Sequence, residues 1–151
     1  MSPRLVTAAG AAILLLAWAG PLPGLVPGSF AAHMVLHMSV VGLGVPLLAI
    51  GLAPELRDRL PATAMLLPII VSVLDFVVVW GWHAPALHHL SRTEPAMLAL
   101  EQASFAGIAL LVWLVAFTGP ALSGALTLFF TSMHMTLLGA LIGLAPRPIY
   151  A

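Results

Sequence analysis

Four long, nearly unbroken apolar stretches decide what this chain can fold into. They run approximately from Ser29 to Leu52, Ala64 to Trp82, Pro95 to Phe117 and Leu122 to Leu144. A hydrocarbon core of about 30 Å is crossed by about 20 helical residues at about 1.5 Å each, so each stretch is long enough to span a bilayer. The composition agrees: 62% of the residues are hydrophobic and 7% charged, where a soluble domain carries roughly a quarter charged. These features predict an integral, multi-pass membrane protein. The fold class is an all-α polytopic transmembrane helical bundle of about five helices, in a single domain over residues 1–151.

The fifth helix is Leu5 to Ala19. It follows Arg4 and ends in Ala17-Trp18-Ala19, so residues 1–20 also read as a cleaved signal peptide. Pro21, Leu22 and Val26 extend the run far enough to span when tilted, which favours a first helix.

Between the spans, "GPLPGLVPGS" is a Pro- and Gly-punctuated turn that ends in Ser29, a helix N-cap residue. "APELRDRLPAT" holds much of the charge and is expected in water. "HAPALHHLSRTEP" reads as a polar loop in which Ser91 and Glu94 have capping-box spacing ahead of the next helix. Pro46 and Pro68 are expected to kink their helices. Gly139 and Gly143 have the spacing of a close helix contact. Arg4, Arg57 and Arg59 fall on one side of the membrane and Arg92 and Arg147 on the other. That three-to-two margin orients the N-terminus toward the cytoplasm and the histidine-rich end outward.

Several function classes drop out on composition. There is no lysine, and five arginines balance five acids, so no basic surface exists for nucleic acid. Cysteine is absent, which removes disulfides, thiolate metal sites and thiol nucleophiles together. No nucleophile elbow and no phosphate-cradling glycine loop is present, so the chain reads as a non-enzyme.

What remains is a set of polar side chains inside the spans, each costly there unless something binds or pairs it. Measured from the histidine-rich surface at about 1.5 Å per residue, His33 lies about 6 Å deep, Glu101 about 9 Å, His37 and Asp75 about 12 Å, and His134 about 15 Å. His83, His88 and His89 fall at the surface. All the ionisable residues of the spans therefore share one half of the membrane. His33 and His37 are four apart and share a helix face at metal-ligand spacing. Met34 and Met38 repeat that spacing on an adjoining face, and His134 is bracketed by Met133 and Met135.

Imidazole with thioether and no thiolate suits copper, above all Cu(I). The candidate ligands are His33, His37, His83, His134, Met34 and Met38. Asp75, Glu101 and Gln102 are the candidates for holding those imidazoles from behind, through their ring N–H groups. Met65 and Met97 read as packing. Haem on paired histidines is the other cofactor the residues admit, disfavoured because no facing pair recurs at a second depth. A scaffold, or an ion or proton path through Asp75, Glu101 and the histidines, is the alternative function, although a path should also have steps in the other half of the membrane.

The segments "HMVLHMSVVGLGVPLLAIG", "WGWHAPALHHL", "LEQASF" and above all "HMTLLGALIGLAPRPIY" resemble the successive signatures of the CtaG-like cytochrome c oxidase assembly factors, a bacterial family of membrane proteins. The resemblance runs from about Ala32 to the C-terminus. It implies a role in maturing a haem-copper oxidase in the bacterial inner membrane. Copper would be handled on the outer face, with oxidase subunits or copper chaperones as partners. His33, His37, His83 and His134 match the family's histidine positions. The chain departs from the pattern at Leu36, often glutamine, at His88, usually tyrosine, and at Gln102, where relatives carry another histidine. It is also shorter than the members with about seven helices.

Overall fold

The computed structural model describes residues 2–57, 66–147 and 149–150, and these form helices and turns throughout. Helix α1 (Pro3–Ala19) is followed by the short α2 (Leu22–Leu25) and a 3₁₀ turn at Val26–Gly28, so that the first apolar run extends to Gly28. The second span comprises α3 (Phe30–Ser39), a π-turn (Val40–Gly44) and α4 (Val45–Leu56), 27 residues in all. Then come α5 (Leu66–Trp82), α6 (Pro85–Thr93), α7 (Pro95–Thr118) and α8 (Ala121–Gly143). Four of these runs are long and apolar enough to cross a membrane, and α5 taken together with α6, bent by 69° at the break between them, makes a fifth if the pair is one span. The expected start of that fifth span at Ala64, together with Arg59, lies outside the described residues.

The bundle is organised on α7. The α3–α4 span packs on one side of it and α5 and α8 on the other, while α1 packs against α4 on the outside. The buried core reflects this, with Leu36, Val40 and Val45 against Ala109, and Val79 and Trp82 against Phe105 and Leu138. Large apolar side chains such as Leu16, Val73, Val77, Leu137 and Leu141 cover the periphery, as a bilayer-facing surface requires.

Local chemistry explains the joints. The Ser29 hydroxyl accepts from the Ala32 N–H at 3.1 Å, the N-cap expected of it. Pro46 has no N–H to offer and its ring would strike the Gly42 carbonyl one turn back, so the ladder widens ahead of it. The Val45 N–H reaches past Val41 to the Val40 carbonyl. The Val41 carbonyl this releases is taken by the Trp113 indole N–H at 3.2 Å, across from α7.

Two local expectations are corrected; the kink expected at Pro68 turns on the carbonyl of residue 64, which lies outside the described residues. Gly139 and Gly143 lie on the exposed side of α8, where a Cβ on either would meet nothing within 4 Å. Close helix approaches are at other glycines, at Gly10, where a Cβ would come within 2.7 Å of the Gly44 carbonyl and of the Leu48 nitrogen, at Gly51 against α1 and at Gly124 against α7. Finally, residues 85–93 are not a loop. Pro85 sits in the first turn of α6 and the extended Ala84 before it breaks from α5, as the residue before a proline does. Helix α6 then lays His88 and Ser91 against the bundle and leaves His89 and Leu90 outside.

Candidate metal centre

Three elements converge at the histidine-rich end: the first turns of α3, the inner face of α6 and the second turn of α7. They bring together His33, His88 and Glu101, all buried, with one potential ligand atom of each within 4.8 Å of the others. The His33 Nε2 is 3.4 Å from Glu101 Oε1, and the rings of His33 and His88 are 4.9 Å apart between centres. Two atoms of the group have no hydrogen-bond partner although they are buried, His33 Nδ1 and His88 Nε2. A buried imidazole nitrogen without a partner is costly, and a metal ion removes that cost.

Glu101 is held from three sides. The Ser91 hydroxyl lies 3.1 Å from Oε1 and shares its single proton with the His88 carbonyl at 3.0 Å. The Gln102 amide donates to Oε2 at 3.4 Å. Below it, Trp82 donates to the Ser104 hydroxyl at 2.8 Å, which donates in turn to the Glu101 backbone carbonyl at 2.8 Å. The expected capping box does not form, because Ser91 is turned to this carboxylate and Glu94 itself precedes α7.

The group is capped by the C-terminal tail. Tyr150 lies against His88 with ring centres 3.9 Å apart, stacks on Phe30 at 5.6 Å, and donates its hydroxyl to the His83 carbonyl at 2.9 Å. Burial pushes that phenol up, so it stays the donor.

The other predicted site residues take separate places. His37, one turn deeper than His33, packs edge-on to Phe105 at 4.1 Å between centres and faces His83 at 6.2 Å, and neither of its ring nitrogens has a partner. The Nδ1 of His83 donates to the Val79 carbonyl at 2.7 Å, which leaves its Nε2 lone pair free to bind. His134 joins Asp75 rather than the group at His33, with Nε2 3.0 Å from Oδ2, and the Thr131 hydroxyl donates to the same oxygen at 2.7 Å. Met34 is half-buried, whereas Met38 and Met133 are 51% and 52% exposed on the periphery. Asp75, Glu101, His37 and His134, the four polar groups for which exposure to lipid would be most costly, are all buried.

Sequence reasoning does not bring this group together, because it puts His88 at the surface and Glu101 behind a ligand. The signal available for His88 is its three-residue spacing from Ser91 in a segment that starts with proline.

The family profile of the cytochrome c oxidase caa3 assembly factors matches residues 4–151. The chain belongs to that family. The match takes in α1 as well as the resemblance seen from Ala32 onward, and it covers every residue of the His33, His88 and Glu101 group. No curated protein and no solved structure matches this caa3 assembly factor.

Proposed function

We propose that this chain serves the maturation of a haem-copper cytochrome c oxidase by holding a copper ion as cargo, with His33, His88 and Glu101 as its ligands. The observation that carries the reading is the convergence of two buried imidazoles and a buried carboxylate from three different elements, in a group where each imidazole has a ring nitrogen without a partner. Two imidazoles with a carboxylate suit Cu(II), or Zn(II), better than Cu(I). The thioethers that would favour Cu(I) are not gathered at this point, since Met38 is turned outward. His37 and His83 stand one turn deeper and beside it as the next acceptors for an ion leaving the group. Oxidase subunits and copper chaperones are the partners this reading requires, and the bacterial inner membrane is its setting. The role is one of carriage, without a covalent step.

Copper analysis of the purified, detergent-solubilised protein tests it. The parent should bind one equivalent, and His33→Ala and His88→Ala should each lose it. His37→Ala should retain it. In cells lacking the chain, oxidase copper content should recover with the parent and not with His88→Ala. Full copper loading of both His33→Ala and His88→Ala would end this assignment.

A further inference from the structure

A second site lies deeper in the bundle, on groups outside the His33, His88 and Glu101 ligand set. A cavity of about 200 Å³ separates the π-turn from α8 and is floored by α7. Phe105, Val112, Trp113 and Met135 make its wall hydrocarbon and aromatic, while polar groups enter it from two sides, His37 from α3 and Asp75 with Thr131 from α5 and α8. Its rim carries Met38 and Gly42, both exposed on the lipid side of the span.

Each of these features restricts the occupant. An apolar cavity of about 150 Å³ stays dry and takes up benzene, so this one has room for a single substituted ring. Asp75, the acidic residue of its lining, already has His134 as its partner and leaves no counter-charge for an ionic ligand, so the occupant is neutral. Thr131 and His134 both bond Asp75 Oδ2, which leaves Oδ1 for a further donor. His37 is 2% exposed and both its ring nitrogens lack partners. A mostly apolar pocket with a few convergent polar groups is the usual form of a small-molecule site.

We infer that this cavity binds a neutral, ring-sized hydroxylated molecule of the phenol class, drawn from the bilayer, with its hydroxyl recognised by Asp75 and His37.

Trp113 supplies the readout. The metal-free full chain in lipid nanodiscs is titrated with 4-bromophenol, whose heavy atom quenches indole fluorescence on contact, and with bromobenzene as the analogue lacking the hydroxyl. Quenching by 4-bromophenol should saturate, and should lose its saturable part in Trp113→Phe. It should be lost in Ala109→Leu, which fills the cavity from α7, and in Leu128→Phe, which fills it from α8. Bromobenzene should bind about tenfold more weakly, the loss of one buried hydrogen bond. His33→Ala should leave the titration unchanged, so the result is independent of the copper assignment. Quenching that never saturates, or that survives both filling variants, reports partition into lipid and overturns the proposal. Equal binding of bromobenzene overturns it as well, since the cavity would then select for apolar volume alone.

Discussion

Glu101 is the residue on which the proposed copper group turns, because a carboxylate in a membrane interior persists only where its lone pairs are taken up. His33, Ser91 and Gln102 take them up on three sides. Ser91→Ala removes one donor while leaving the backbone of α6 intact. Copper affinity, measured by competition titration, should fall roughly 10- to 100-fold, the usual effect of losing a group that orients a ligand. The deeper pair behaves differently. His134→Ala leaves the buried Asp75 with Thr131 as its one remaining donor. Thermal unfolding in detergent should show a loss of about 1–3 kcal/mol, with copper stoichiometry unchanged.

At the scale of elements, the second span is one helix with a built-in fault. Pro46 forces the π-turn, the π-turn frees the Val41 carbonyl, and Trp113 fills it from α7. The exchange fixes the α3–α4 span against α7 at the level of His37, so backbone chemistry in one span sets the position of a side chain one turn above. Trp113→Phe keeps the ring but removes the donor, and should lower stability by about 1–3 kcal/mol. Adding Pro46→Ala should recover part of that loss, because alanine brings back the missing N–H and the ladder can close without the indole. Thermal unfolding of the two variants and their combination measures the coupling. Strictly additive effects would show that the fault and the indole are independent.

For the molecule as a whole, function depends on which face of the membrane carries the histidine-rich end. Arg57 closes α4 and donates to the Phe117 carbonyl at the end of α7, 3.1 Å away, so this basic end is opposite the metal group. The positive-inside bias predicts the Arg57 end in the cytoplasm and the proposed metal group outside. Reporter fusions after Pro61 and after Ser91 should read cytoplasmic and extracytoplasmic, respectively. The reverse pattern would leave the metal group intact but face it toward the cytoplasm, away from an outward-facing copper acceptor.

Properties that depend on stretches of consecutive residues are legible in the sequence: the helical class, the four to five spans and the N-cap at Ser29. Bilayer thickness and the cost of an unpaired polar group act on each segment separately, so a string of letters carries them. Which polar residues meet is a matter of packing in three dimensions. Spacing along one helix pairs His33 with His37, whereas the fold pairs His33 with His88 and Glu101 from two other elements and sends His134 to Asp75. The segment 85–93 is a helix for the same reason, since its polar face is buried only because a carboxylate and an imidazole wait for it. Gly10, Gly51 and Gly124 mark close approaches rather than Gly139 or Gly143 because glycine spacing looks the same on a lipid-facing side and on a packed one. Contacts between segments depend on how the helices pack around α7, and that packing is a property of all the spans together.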